Sequence, residues 1–352
     1  MRKIKVEEAV GQTLCHDMTA ILENGYKGVR FKRGHLISEE DIPVHLISEE
    51  DIPVLKDMGK DHIFVWEPDA NEVHEEDAAR ILSEAMCGDH VVKSAPSEGK
   101  IGFTSDVKGL VCIDVDALRK INQVSDYTVA LVPDGFPVEA GGRLGGARIV
   151  PLVTAQENVD RAETIAKNAF PVLTVKPYGK KKAAMIITGS EIYYGRIQDA
   201  FEPILRKKLE AFDAEVLGVT KCPDDTEMIL SAIGQFREQG ADLILLTGGM
   251  SVDPDDVTPT AIARSGSRVA VRGVPMQPGN MLNVAYLGST VLVGVPGASM
   301  HSPITSLDVF LPWIFAGREI TKEAVSGCGD GGLCLGCREC RWPNCYFGFG
   351  RR

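Results

Sequence analysis

From Ala183 to Phe315, short apolar runs alternate with segments whose apolar residues recur every three or four positions, and that alternation leaves few folds open. The runs AAMIIT (183–188), DLILLT (242–247) and TVLVGV (290–295) are too short and too uniformly apolar for surface helices, so they read as buried strands. Residues 215–220 read as a fourth strand. Between them, 199–212 sets Phe201, Ile204, Leu205 and Leu209 at helical spacing, and 225–239 does the same with Met228, Ile229, Ala232, Ile233 and Phe236. Residues 258–264 suit a short helix with Pro259 in its tolerated first turn, and 302–315 a closing helix. Strands alternating with helices predict an α/β, three-layer αβα domain with a mostly parallel sheet.

The preceding sequence is less regular and predicts smaller mixed α+β and β units. A chain of 352 residues is long enough for more than one core. We expect an N-terminal mixed domain at 1–100, a middle α+β unit at 101–180, the αβα domain at 181–318 and a Cys-rich tail at 319–352. The decapeptide HLISEEDIPV occurs at 35–44 and again, unchanged, at 45–54. Two identical copies do not make a solenoid. One copy is expected to do the structural work, with Ser38 or Ser48 opening a helix. AARILSEAM (78–86) suits a helix, 94–105 a polar linker, 116–122 a helix capped by Asp116, and the Gly-rich run 140–147 a loop.

Ligands of open parallel sheets bind beyond the carboxyl ends of the strands. There the first run leads into Thr188-Gly189-Ser190-Glu191. The second continues as Thr247-Gly248-Gly249-Met250-Ser251, then Asp253, Asp255 and Asp256. The last continues as Pro296-Gly297-Ala298-Ser299. Gly248 and Gly249 let backbone amides approach a phosphate, and Thr247 and Ser251 add hydroxyls. Taken singly, each aspartate suits a turn or a helix cap. Together with Asp224 and Asp225 beyond a neighbouring strand, they suit Mg²⁺, a hard ion that takes oxygen ligands.

The run TGGMSVDPDDVTPTAI (247–262) resembles the signature loop of the molybdopterin-binding fold, shared by molybdopterin adenylyltransferases, molybdenum insertases and gephyrin-like proteins. Thr188-Gly189-Ser190-Glu191 with Gly195 and Asp199 resembles that family's first loop, and Pro223-Asp224-Asp225 its acidic turn. Pro278-Gly279-Asn280-Met281 and Val295-Pro296-Gly297-Ala298-Ser299 resemble two insertase turns, from which Asn280 and Ala298-Ser299 depart. The likeness covers about 135 residues (roughly one domain), with a weaker echo of the insertases at Ala9-Val10-Gly11 and in 15–19.

The resemblance implies that Thr188, Gly189, Ser190, Glu191, Thr247, Gly248, Gly249, Ser251, Pro278, Gly279, Pro296 and Gly297 line a pterin site. It implies that Asp224 and Asp256 are catalytic and hold Mg²⁺. The implied activity is a transferase step of molybdenum cofactor biosynthesis on molybdopterin or its adenylylated form, with molybdate insertion and AMP release. A non-catalytic carrier, chaperone or regulator stays open beside it, as does another nucleotide enzyme on the same fold. A homo-oligomer, dimer or trimer, is implied too.

Nine cysteines divide into two groups. Cys15, Cys87, Cys112 and Cys222 are scattered and suit small buried hydrophobes. Cys334, Cys337, Cys340 and Cys345, with Cys328 nearby, crowd the C-terminus at a spacing that suits zinc or an iron–sulfur cluster. The tail could also serve a molybdoenzyme client as a docking or redox module. A net charge of −11 argues against nucleic acid or anionic membrane as partner. No run of about eighteen apolar residues appears, so no membrane span is expected. No apolar stretch follows Met1-Arg2-Lys3, so the cytoplasm is the expected location.

Overall fold

A computed structural model describes residues 2–12, 14–15, 18–21, 27–31, 47–65, 71–250 and 257–350. They cluster in two units: one holds 1–106, 113–132 and 141–174, the other 107–112, 133–140 and 175–352. Residues 101–180 are therefore shared between the two units.

In the first unit, strand Arg2–Lys5 pairs antiparallel with His62–Val65 over a small core that includes Ile4, Val6, Leu14, Ile47 and Leu55. Ile47 and the first turn of helix Asp51–Asp57 come from the second decapeptide, where the Asp51 carboxylate accepts from both the N–H and the hydroxyl of Ser48. The first copy lies outside the described residues. A four-stranded sheet joins Val91–Lys93, Lys100–Ser105, Arg143–Ile149 and Tyr127–Leu131.

Three expectations are corrected in this unit. The supposed linker contains the strand Lys100–Ser105. The Gly-rich run enters a strand, where a Cβ on Gly146 would lie 2.7 Å from Ile101 O; these glycines admit neighbouring backbone rather than phosphate. The helix Val115–Ile121 is capped by Asp114, which accepts from Ala117 N at 2.8 Å, whereas Asp116 pairs with Arg119.

The second unit is built on a six-stranded sheet: β1 Lys182–Thr188, β2 Glu215–Cys222, β3 Leu243–Thr247, β4 Arg268–Arg272, β5 Asn283–Leu287 and β6 Thr290–Gly294. Their order is β2-β1-β3-β6-β5-β4. The first four run parallel, while β5 lies antiparallel to both β6 and β4. Side chains alternate across the sheet with period two. Ala183, Met185, Ile187, Leu243 and Leu245 meet Phe201, Leu205 and Leu209 of helix α2 (Phe201–Glu210) and the apolar residues of α5 (Ser306–Phe315). Ala184, Ile186, Ile244 and Leu246 meet Ile229, Ala232, Ile233 and Phe236 of α3 (Thr226–Glu238) and Ala261 and Ile262 of α4 (Thr258–Arg264). α1 is the single turn Ser190–Tyr193. Helices on both faces of a mostly parallel sheet are the expected αβα layers. Each fully buried Leu or Ile contributes about 1.5–3 kcal/mol to holding them.

The C-terminal tail is part of this unit. Phe347 is buried in the core shared with α5, and Trp342 and Cys334 pack against that core. Every residue of α5 except Asp308 is buried, so its outer face is covered too.

Candidate functional site

Because β1, β2, β3 and β6 run one way, Thr188, Cys222, Thr247 and Gly294 end at one edge of the sheet. β5 runs the other way and begins there, Asn283 opposite Gly294. This topology gathers Thr188–Glu191, Asp224, Thr247–Gly249, Pro278–Gly279 and Pro296–Gly297 along that edge. Ser251, Asp253, Asp255 and Asp256 lie outside the described residues.

The centre of the edge is a buried threonine set. Thr188, Thr247 and Thr258 are each at most 1% exposed. Thr188 Oγ1 donates to Thr247 O at 2.7 Å and lies 3.1 Å from Thr258 Oγ1. Thr247 Oγ1 is buried and has no hydrogen-bond partner among the described residues. A buried hydroxyl without a partner costs about 1–3 kcal/mol, so a group kept in that state needs a use. Directly after it, Gly248 and Gly249 both take positive φ, 80° and 50°. A Cβ on Gly248 would overlap the Thr188 carbonyl oxygen and lie 2.6 Å from Thr188 Oγ1, so this turn admits only glycine.

The β1 and β2 loops are pinned to each other. Ser190 N donates to Asp224 Oδ2 at 2.8 Å, and Asp224 N donates back to Ser190 Oγ at 3.3 Å. Gly189 N donates to Cys222 O at 3.2 Å. Gly189, at φ 137°, keeps space where a Cβ would lie 2.9 Å from a Glu191 carboxylate oxygen. Asp225 has a different job: it caps α3, accepting from Met228 N at 2.9 Å. Beside it, burial pushes the Cys222 thiol up from its ordinary value, and the Asp225 charge adds to that.

Pro278 and Gly279 pack against the start of α5. Ser306 Oγ donates to Gly279 O at 2.6 Å, and a Cβ on Gly279 would sit 2.7 Å from Ser306 N. Thr305 and Asp308 form a capping box there, and Lys208 pairs with Asp308. Pro296 and Gly297 open a short turn, Gly297–Met300, whose Ser299 hydroxyl meets Thr305 Oγ1 at 3.2 Å.

Three contributors escaped the sequence reading. Thr258 completes the threonine set. Ser306 seats the Pro278–Gly279 turn. Gly294 makes room for Met250, since its Cβ would lie 2.8 Å from the Met250 sulfur. Only Gly294 carried a local signal, as a lone glycine inside an apolar strand.

Among the described residues, no three His, Cys, Asp or Glu side chains stand together as a metal site. Cys334 is half-buried, while Cys337, Cys340 and Cys345 are exposed. Cys334 is tied to the turn before Pro278 by its backbone, its N–H donating to Gln277 O at 2.8 Å.

Residues 184–316 match a family model described as "Probable molybdopterin binding domain". A model of a domain of unknown function matches 3–44 and 45–67, breaking at the first residue of the second decapeptide. The chain is 26% identical over 190 residues to a molybdopterin molybdenumtransferase of Synechococcus elongatus, covering 51% of this chain and 45% of that protein. It is 33% identical over 90 residues to a CinA-like protein of Mycobacterium avium, covering 26% and 21%. It thus spans less than half the length of these curated relatives. Among solved structures, the molybdopterin biosynthesis enzyme MoaB of Thermus thermophilus aligns at 23% identity and TM-score 0.33 over 38% of this chain and 91% of its own. The MoeA protein of Pyrococcus horikosii aligns at 14% and 0.33 over 91% and 76%. Among the described residues, no helix is long and apolar enough to cross a membrane. Residues 184–316, whose two glycines follow a buried threonine at the sheet edge, belong to the molybdopterin-binding domain family.

Proposed function

We propose that the sheet edge binds molybdopterin, free or adenylylated, and that the chain inserts molybdate into it with release of AMP. The observation that carries this reading is the unpartnered, fully buried Thr247 hydroxyl beside the Gly248–Gly249 turn. A pterin phosphate or pyrophosphate supplies the acceptor oxygen that the hydroxyl lacks, and glycines let it come close to the main chain. By strand order, Glu191 and the Ser190–Asp224 pair flank the glycine turn on one side, and the Pro278–Gly279 and Pro296–Gly297 turns on the other.

The reaction needs phosphoryl charge to be neutralised and an oxygen nucleophile to be oriented. Asp224 spends one carboxylate oxygen, Oδ2, on Ser190 N–H. Its other oxygen, with the Asp256 carboxylate, gives an oxygen-only donor set that fits Mg²⁺, an ion that completes its shell with water and phosphate. When bound, that ion would draw negative charge from the phosphates as AMP departs. The protein's own part is to hold the phosphates on the glycine turn and keep the β1 and β2 loops at fixed separation.

The test is AMP release from adenylylated molybdopterin by anaerobically purified protein with Mg²⁺, with and without molybdate. Molybdate-dependent AMP release is expected. A second reading is favoured by the Asp224–Ser190 lock, which gives Asp224 a structural role: the chain binds and carries the pterin without turning it over. Tight binding with no AMP release would select that reading, and no pterin binding at all would sink both.

A further inference from the structure

We infer that the C-terminal loop holds a soft metal centre on the thiolates of Cys334, Cys337, Cys340 and Cys345. This inference is independent of the pterin reading. The loop is closed at its neck: Gly348 N donates to Gly331 O at 3.1 Å, and Gly350 packs against Asp330. Phe347 roots one end in the domain core. The other end is paired with the strand-like residue Gln277, whose N–H donates to Gly332 O at 2.7 Å and whose carbonyl accepts from Cys334 N. A Cβ on Gly332 would lie 2.6 Å from Cys328 O, so that crossing needs glycine. Trp342 stacks on Phe349 with rings 7° from parallel, and Phe349 meets Phe136.

Inside this neck nothing comparable holds the chain. No backbone hydrogen bond involves 335–340 among the described residues. Leu335 is 72% exposed and Leu333 56%. A loop that is fixed at both ends, exposes its leucines and, from 335 to 340, makes no backbone hydrogen bond among the described residues takes a compact fold there only if something inside it supplies one. Four thiols within twelve residues, spaced Cys-x2-Cys-x2-Cys-x4-Cys, are what could. Metal–thiolate bonds supply folding free energy to segments too small for a core. Bringing the sulfurs together requires movement only between 335 and 345, where few bonds must break. Trp342 Nε1 is buried without a partner two residues from Cys340 and three from Cys345, a donor of the kind that hydrogen-bonds metal-bound sulfur.

The donor chemistry is common to tetrahedral zinc and to an iron–sulfur cluster, and measurement separates them. The full-length chain, purified without oxygen, is analysed for zinc, iron and acid-labile sulfide and then alkylated with iodoacetamide before and after chelator treatment. About one zinc, or about four iron with matching sulfide and a visible charge-transfer band, is expected per chain. The C337S/C340S variant is expected to lose it, while C87S keeps it. In the wild type, alkylation of Cys337, Cys340 and Cys345 is expected to quicken more than about tenfold once metal is removed. These three are exposed, so without metal they react at once. Two results would overturn the inference: rapid alkylation that the chelator does not change, in protein that gains no metal on reconstitution with zinc or with iron and sulfide; or full metal retained by C337S/C340S. The alkylation arm needs no variant, so a misfolded mutant cannot decide the matter.

Discussion

Replacing Gly248 by alanine tests whether the site is shaped by one close approach of main chain to main chain. Two costs add. A non-glycine residue at φ 80° carries about 1–3 kcal/mol of backbone strain. The new methyl also overlaps the Thr188 carbonyl, so β1 and β3 must part at their ends. That loosens the 2.7 Å bond from Thr188 Oγ1 to Thr247 O, worth about 0.5–1.5 kcal/mol. Together they come to about 1.5–4.5 kcal/mol. Gly195 is the control, since it has φ 71° and nothing within 4 Å of its Cβ, so G195A carries the strain alone. Urea unfolding of both variants gives the difference, and pterin affinity is read on the same samples. G248A is expected to lose about 1 kcal/mol more than G195A and to bind pterin at least about tenfold more weakly. Equal stabilities and unchanged affinity would refute the reasoning.

Four further outcomes follow from the same contacts. Thr247→Val removes the unpartnered hydroxyl at nearly constant shape, so stability should hold or rise by about 1 kcal/mol while pterin affinity falls; unchanged affinity in a titration would remove Thr247 from the site. Asp224→Asn can still accept from Ser190 N–H, so it should melt close to wild type with AMP release lost, whereas Asp224→Ala should also lose about 1 kcal/mol; full turnover in D224N would end the Mg²⁺ assignment. Phe347→Ala should cost about 3–5 kcal/mol, because the tail is rooted in the core, and a cost under about 1 kcal/mol would mean that the tail is only laid on the surface. Burial pushes the Cys87 thiol from 9.0 up to about 12, so the folded state holds its proton longer than the unfolded chain. Its contribution is complete below pH 9 and is lost as pH rises toward 12, a decline that Cys87→Ala should lessen in alkaline melts.

Much of the αβα domain was legible because its strands are buried on both faces and its helices on one. Continuous apolar runs and the three-to-four spacing are direct consequences of that burial. β4 was missed for the complementary reason. β4 is an edge strand with only Val271 buried, so no apolar run marks it. In the first unit, Asp114 and Asp116 are equally good caps on paper, and only the direction of the entering chain chose Asp114. In the second decapeptide Ile47 is buried in the core and the helix starts only at Asp51, a division that the repeat does not display.

At the site, the sequence by itself determined which residues leave the strand ends: the Thr-Gly-Gly turn, the Ser190–Glu191 loop, the acidic turn and the two Pro-Gly turns. It could do so because strand direction and loop position follow from local periodicity. Only the tertiary structure decided how those residues are spent. It locked Ser190 to Asp224, turned Asp225 into a helix cap, seated Gly279 on Ser306 and left Thr247 without a partner. It also rooted the cysteine loop in the core through Phe347. Apart from the Asp225 cap, which is a local contact, these depend on atoms brought together from positions far apart in the chain, and residue spacing along a sequence carries no record of such meetings.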